Sequence, residues 1–183
     1  MALGATIYSF EIRLSDSDRQ VYETLQLKVA RHPSETAEFL CTRVLAYCLE
    51  YTEGIAFSRG ISDTDQPAIT VHDLTGVLKA WIEVGTPEAS RLHKATKSAD
   101  RVAVYLHRGV DQALARWRGE RIHRAESIDV RAIDPALLDS LVGGLDRRMD
   151  LDLSVADRTL YLTLGGATLV GDYSQHPLGG PAR

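Results

Sequence analysis

The sequence has few of the features that mark secreted or membrane proteins. Only two cysteines occur among 183 residues. Cys41 and Cys48 stand seven positions apart within an apolar helical pattern, which is too far along one helix for a disulfide and favours two buried thiols. No apolar run reaches the roughly 18 residues that a membrane helix needs, and no segment resembles a secretory leader. A reduced, cytoplasmic protein without membrane contact is therefore expected.

Positive charge is also scarce. Lys and Arg number 21 against 25 Asp and Glu, so the formal net charge is −4. Proteins bind the phosphate backbone largely through Lys and Arg, and this balance argues against tight, purely electrostatic binding to nucleic acid. It leaves room for a metal-dependent enzyme, because a bound ion adds positive charge at its site.

Several common catalytic signatures are absent from the sequence. It contains no P-loop, no Gly-x-Gly-x-x-Gly and no Gly-x-Ser-x-Gly, and its six histidines are scattered without metal-ligand spacing. A hydrophobic content of 44% over 183 residues suits one globular domain. We expect a single domain over residues 1–173, followed by a flexible tail over 174–183 that is rich in glycine and proline.

Periodicity predicts a mixed α+β fold of the α/β class. Alternating residues in Ala5–Leu14 and Tyr22–Ala30 predict an opening β-hairpin, and apolar residues at helical spacing predict a helix capped by Ser34 and ending near Glu53. The remaining predicted strands are Ile55–Ser58, Ala68–His72, Val77–Val84, Arg101–His107, Ile128–Ile133, Leu151–Val155, Thr159–Thr163 and Ala167–Val170; the remaining predicted helices are Pro87–Lys97, Asp111–Arg118 and Pro135–Met149.

Three stretches carry acidic residues next to these predicted elements. They are Arg31-His-Pro-Ser-Glu-Thr-Ala-Glu38, Arg59-Gly-Ile-Ser-Asp-Thr-Asp-Gln-Pro67 and Trp81-Ile-Glu-Val-Gly-Thr-Pro87. Together with the order of the elements and an opening Ala5-Thr-Ile-Tyr8, they resemble the YaeQ family of small bacterial proteins over nearly the whole chain. The family is largely uncharacterised, and it resembles a variant of the PD-(D/E)xK nuclease core. The resemblance thus implies a restriction-endonuclease-like αβββαβ core over 34–107, between an N-terminal β-hairpin and a C-terminal β/α extension.

The resemblance also implies a candidate metal site for Mg²⁺ or Mn²⁺. Nucleases of this kind hold the ion with carboxylates from the second and third core strands, and magnesium accepts one or two such ligands. Glu83 ends the third strand and Asp65 precedes the second. Glu83 is equally compatible with a strand-end glutamate in solvent or paired with an arginine, and Asp65 with an ordinary turn residue.

Three further residues complete the predicted site. The nuclease pattern expects an acid from the first helix, which points to Glu38, although a negative charge there also favours the helix dipole. The lysine expected two residues after Glu83 is Gly85. Lys94 on the following helix is a candidate replacement, with Arg91 on the same face as a phosphate clamp; both equally suit a solvated basic face.

The leading hypothesis is therefore a metal-dependent phosphodiesterase or nuclease-like protein. A second hypothesis is a non-catalytic module that binds nucleic acid or a protein, linked to transcription or repair and independent of metal. Its candidate contact is Arg116-Trp-Arg118, where a ring and cations stand together, although a solvated helix with one buried tryptophan is the preferred interpretation. A third is a structural interaction protein with neither property.

Overall fold

The computed structural model describes residues 4–58 and 65–178. Within these ranges the chain is a mixed α+β protein with four α-helices and ten strands. The strands are β1 (Thr6–Asp16), β2 (Val21–Arg31), β3 (Ile55–Phe57), β4 (Ile69–His72), β5 (Leu78–Val84), β6 (Arg101–Leu106), β7 (Ile128–Ile133), β8 (Arg148–Ala156), β9 (Thr159–Leu164) and β10 (Ala167–Pro177). The helices are α1 (Ala37–Leu49), α2 (Ala89–Ser98), α3 (Val110–Arg118) and α4 (Pro135–Gly143), with a 3₁₀ turn at Ala125–Ser127.

The strands form one large sheet in the order β2-β1-β8-β9-β10-β7-β6-β5-β4-β3. Most neighbours are antiparallel, as in the β1–β2 hairpin and the β3–β4–β5 meander. Three neighbouring pairs are parallel: β1–β8, β5–β6 and β6–β7. Parallel neighbours need a crossover, and α2 supplies it between β5 and β6. The carboxyl ends of β5 and β6 therefore lie side by side.

One long strand joins the two halves of the sheet. The first half of β10 pairs with β9, and its second half, from Tyr173 to Pro177, pairs with β7. Gly171 lies where the strand passes between them. A Cβ there would stand 2.7 Å from both Asp134 Oδ2 and Leu137 Cβ, so only glycine lets the start of α4 pack this closely against the strand.

The helices cover opposite faces of the β5–β6 region. Ile82 and Tyr105 pack with α1 and α4 in the larger hydrophobic core. Trp81 and Val104, which alternate with them along the strands, pack with α2 and α3 in a second core. The predicted period-2 alternation of β5 therefore places Glu83 on the Trp81 face.

Several sequence predictions are corrected by the structure. The cap of α1 is Thr36, whose hydroxyl accepts from Phe39 N at 3.1 Å, while the Ser34 hydroxyl contacts His32 Nδ1. Helix α4 ends at Gly143 rather than Met149, because residues from Arg148 onward pair with β1. The tail predicted to begin at residue 174 is strand until Pro177, held by pairing with β7.

The predicted order from Ser34 to His107 is present, as α1-β3-β4-β5-α2-β6. Most of the predicted loop Arg59–Gln66 lies outside the described residues. No helix in the described part of the chain is long and apolar enough to cross a membrane.

Candidate functional site

A cleft opens at the carboxyl ends of β5 and β6. It has a volume of about 540 Å³ and is bounded by the start of α1, the segment before β4 and the turn after β5. In open α/β sheets this edge is the usual position for ligands, because loops and helix N-termini converge there. The cleft is the natural place to look for function in this chain.

Glu83 contributes a buried carboxylate to this cleft. Its side chain lies on the α2 face of β5, and the residue is only 5% exposed. Trp81 Nε1 donates to Glu83 Oε1 at 2.7 Å, and Arg91 Nε donates to the same oxygen. Burial raises the pKa of Glu83, opposed by the Trp81 hydrogen bond and the Arg91 charge. The carboxylate is thus costly to ionise unless a cation stays beside it.

Arg91 supplies that cation from α2. Its guanidinium lies 5.7 Å from the centre of the Trp81 ring, and its Nη2 donates to the carbonyl of Gln66. The arrangement joins β5, α2 and the segment before β4 around a single charged pair. The sequence left open whether Glu83 is a metal ligand or a strand-end glutamate in solvent or paired with an arginine. Its described contacts are those of a glutamate paired with an arginine.

Asp65 and Lys94 form a separate, exposed pair. Lys94 Nζ lies 2.8 Å from Asp65 Oδ1, and the two side chains are 51% and 82% exposed respectively. The hydrogen bond and charge of Lys94 lower the pKa of Asp65. The structure therefore joins the predicted residues as Glu83 with Arg91 and Asp65 with Lys94.

These pairings bear on the predicted metal ion. Magnesium needs oxygen ligands that are available to it. Glu83 and Asp65 are each engaged by a basic side chain of the chain itself. Within residues 4–58 and 65–178, no group of three or more His, Cys, Asp or Glu side chains is placed to hold a metal. In this arrangement the described residues do not fit a resident ion.

Glu38 lies in the first turn of α1 and does not line the cleft. Its carboxylate accepts a hydrogen bond from its own backbone N–H, which lowers its pKa, and Thr36 and the charges of His107 and Arg108 act in the same direction. Glu38 is therefore a stable anion at the helix start, as the dipole interpretation requires.

Gly85, in the position where the resemblance expects lysine, has a backbone reason to be glycine. Its φ is +83°, in the left-handed region that L-residues avoid. Its N–H donates to Tyr105 O at 2.9 Å, which fixes the turn that ends β5. A lysine here would strain the backbone, so the turn itself excludes the ordinary triplet.

The cleft also contains a buried ion pair that the sequence interpretation did not predict. Arg43 Nη2 lies 3.3 Å from Glu35 Oε2, and the two residues are 2% and 5% exposed. A glutamate just before a helix is expected to favour the helix dipole, and here it also pairs with an arginine. The available signal was an arginine eight positions after a glutamate, within an otherwise apolar helix that should bury this face.

Three more lining residues escaped prediction: Phe39, His107 and Arg108. Phe39 and His107 are half-buried, with ring centroids 6.3 Å apart and planes at 87°. Burial and the charge of Arg108 lower the pKa of His107, which favours a neutral imidazole. The signal was their position at the end of the predicted strand Arg101–His107, with His107 as its last residue and Arg108 directly after it.

At Arg116-Trp-Arg118, the alternative contact, the structure shows a solvated helix with one buried tryptophan, which is the interpretation preferred from the sequence. Trp117 is 1% exposed and its Nε1 donates to Pro87 O at 2.9 Å. Arg116 pairs with Glu88 on the surface. The ring is part of the core and is not available for a ligand to stack on.

The fold and cleft define a class: a mixed α+β protein with a paired-charge cleft at the carboxyl ends of two parallel strands. The chain belongs to the YaeQ family, whose model, described as "YaeQ protein", matches residues 1–171. The uncharacterised YaeQ protein of Salmonella typhi is 32% identical over 165 residues, 89% of this chain and 91% of that protein. Its counterpart in Escherichia coli K12 is 30% identical over 166 residues, with the same coverage.

Two solved structures share this architecture. The crystal structure of YaeQ protein from Pseudomonas syringae is 30% identical and covers 96% of this chain and 98% of its own, with a TM-score of 0.86. The YaeQ protein from Xanthomonas axonopodis pv. citri is 29% identical, covers 94% and 98%, and has a TM-score of 0.84. The family assignment predicted from the sequence is confirmed.

Proposed function

We propose that this chain binds the phosphodiester backbone of nucleic acid in the Glu83–Arg91 cleft, without a resident metal ion. The observation that carries the proposal is the pairing of Arg91 with Glu83. At the strand end where the nuclease resemblance expects a carboxylate to hold a metal, the carboxylate holds a guanidinium of the same chain. Arg91 on α2 thus supplies, beside Glu83, the positive charge that a metal ion supplies in a nuclease.

The inner charges of the cleft are balanced in pairs, which limits the expected affinity. Arg43 offsets Glu35 and Arg91 offsets Glu83. Arg108 at the rim is exposed, and helix α1 begins at the same cleft with the positive end of its dipole. These two features attract a phosphate, and Glu38 opposes them. We expect weak binding through one or two phosphates, which agrees with the net charge of −4.

The proposal treats the segment from α1 to β6 as a nuclease-like core. Support comes from the order of its elements, the antiparallel β3–β4–β5 meander and the parallel return strand β6. It also places the protein in the cytoplasm, where Cys41 and Cys48 remain thiols; burial raises the pKa of both to about 12.

Metal-dependent phosphodiester hydrolysis is the second candidate function. The observation that favours it is the buried Glu83 carboxylate, which burial makes costly to ionise without a neighbouring cation. Here Glu83 and Asp65 would hold Mg²⁺ or Mn²⁺, Glu38 would assist, and Lys94 and Arg91 would contact the phosphate. Arg91 and Lys94 must leave the carboxylates that they now contact before an ion can bind.

Fluorescence anisotropy with a dye-labelled oligonucleotide of about 15 nucleotides separates these candidates, since ligands of this length fill a single-strand site. In EDTA, we expect binding that weakens with salt and falls about threefold to fivefold in Arg108→Ala. Arg118→Ala, which removes an exposed arginine outside the cleft, is the matched control and should bind like the parent.

Each other outcome points elsewhere. Binding or cleavage that requires Mg²⁺ and disappears in Glu83→Ala favours the hydrolase. Absence of binding with and without metal contradicts both functions and leaves a protein-interaction role.

A further inference from the structure

We infer that the cleft also holds a nucleobase, and that its ligand is single-stranded nucleic acid rather than a duplex. This inference rests on the proposed function. It depends on the two rings in the cleft wall, Phe39 and His107, which phosphate binding alone does not use.

The two rings come from different elements that meet at the cleft. Phe39 belongs to the first turn of α1, and His107 directly follows β6. They stand edge to face with centroids 6.3 Å apart. Both are only half-buried, although the aromatic Trp117 and Tyr105 nearby are fully buried. The chain therefore leaves part of an aromatic pair open to the cleft, and aromatic rings are the surfaces on which unpaired bases stack.

Gly85 keeps the space beside both rings empty. A Cβ at this position would lie 3.6 Å from the Phe39 ring and 3.9 Å from His107 Cε1. A longer side chain would extend over the rings, and the φ of +83° holds the position for glycine. Gly85, which stands where the resemblance expects the nuclease lysine, thus also leaves room for a flat ligand beside the aromatic pair.

Buried polar atoms in the same wall have unused hydrogen-bonding capacity. Within the described part of the chain, Glu35 Oε1, Arg43 Nε and His107 Nδ1 are buried and have no hydrogen-bond partner. An unpaired buried polar atom is costly, so a ligand is favoured when a side-chain shift in the wall brings one of these atoms to it.

These atoms match the chemistry of a base edge. They comprise an acceptor, a donor and an imidazole nitrogen that serves as either, according to the tautomer. A nucleobase edge presents donors and acceptors next to each other, whereas a phosphodiester presents acceptors only. The carboxylate oxygen in particular has nothing to accept from a phosphate.

Single-stranded nucleic acid offers both parts together. Bases within a duplex are paired at their edges and stacked on both faces, so neither is available to the cleft. A volume of about 540 Å³ also suits a small part of a strand rather than a double helix. The rim arginine Arg108 is next in sequence to His107, so a phosphate and its base can be held at adjacent positions.

The test compares three labelled probes in EDTA by anisotropy: a single strand, the same strand in a duplex, and an abasic strand of equal length. We expect the parent protein to bind the single strand at least fivefold more tightly than either other probe. Phe39→Leu, which keeps apolar bulk and removes the ring, should lose about fivefold to tenfold for the single strand and nothing for the abasic strand.

Tyr51→Leu is the matched control, because Tyr51 is also half-buried against the same core but contacts Tyr47, with ring centroids 6.2 Å apart, outside the cleft lining. Equal binding of the single and abasic strands by the parent protein would overturn the inference, whether or not the variants fold. So would equal losses in Phe39→Leu and Tyr51→Leu, or tighter binding of the duplex. Those results leave phosphodiester binding intact, whereas failure to bind any probe overturns the proposed function as well.

Discussion

Arg91 Nε donates to the carboxylate of Glu83, where β5 ends at the cleft. The carboxylate is 5% exposed and also accepts from Trp81 Nε1, so its charge is compensated within the chain. A carboxylate whose charge is already compensated by an arginine differs from a cluster of unpaired carboxylates that would bind a metal ion.

Removing the Arg91 charge should destabilise the protein in a pH-dependent way. Arg91→Met keeps the stem beside Trp81 but leaves a buried charge without its cation. We expect a loss of about 1–3 kcal/mol in the free energy of unfolding at pH 7, because unpaired buried groups carry the full cost of desolvation. Urea denaturation followed by circular dichroism measures it.

The sign of the pH effect follows from the direction of the Glu83 pKa. Burial raises this pKa above its ordinary 4.5, so the fold favours the protonated acid and is destabilised as pH rises through and above that value. Without Arg91 the pKa rises further. The deficit of Arg91→Met should therefore shrink as pH falls from 7 towards 4.5. Arg91→Lys, which keeps the charge, should show a smaller deficit at pH 7; a deficit that is independent of pH would contradict the pairing.

Gly85→Ala should cost about 1–2 kcal/mol in unfolding free energy, because a Cβ in the left-handed region clashes with the backbone. The added methyl itself meets the Phe39 ring at an ordinary 3.6 Å, so backbone strain rather than crowding is the cause. Gly143→Ala is the control: it ends α4, no atom lies within 4 Å of its added Cβ, and its φ is not positive. Equal effects of the two substitutions in thermal unfolding would contradict the strained turn.

A buried hydroxyl beside Glu50, the residue that caps the end of α1, should matter for stability alone. Tyr105 OH donates to Glu50 Oε1 at 2.7 Å and accepts from Arg131 Nη1 at 2.9 Å. Tyr105→Phe leaves both charged groups one partner short, so we expect a loss of about 1–2 kcal/mol in chemical denaturation. Tyr161→Phe, at a tyrosine that is 43% exposed, should be neutral. Oligonucleotide binding should not change in either variant, since neither residue lines the cleft.

Sequence periodicity predicted most elements because strands such as β1 and β8 and helices α2 and α3 bury one face, whereas β5 and β6 are rich in β-forming residues that are buried on both faces. The alternation of β5 placed Glu83 with Trp81, and the apolar spacing of α1 located its buried residues. Errors arose where long-range pairing overrides local pattern. The local sequence near Met149 predicts a helix end, but pairing with β1 makes this segment a strand. The local sequence near Ser174 predicts a flexible tail, but pairing with β7 makes it a strand as well.

The site was predictable only in its strand-end acid and in Arg91. Glu83 lies in β5 and Arg91 on the helix that follows it, so local geometry brings them together. The pairing of Glu35 with Arg43, and the meeting of Phe39 with His107, depend on how α1 packs across the ends of β5 and β6. The sequence marks Arg43 and His107 as candidates, but it does not report which side chain each of them meets.

Hydrogen–deuterium exchange of the protein with a single-stranded oligonucleotide in EDTA tests the central claim most directly. Binding in the cleft without metal predicts slower exchange at the start of α1 around Phe39, at Gly85, and at His107 and Arg108. Helix α3, with Arg116 and Arg118, serves as the internal control and should be unaffected. Protection at α3 alone, or protection that appears only after Mg²⁺ is added, would contradict the claim.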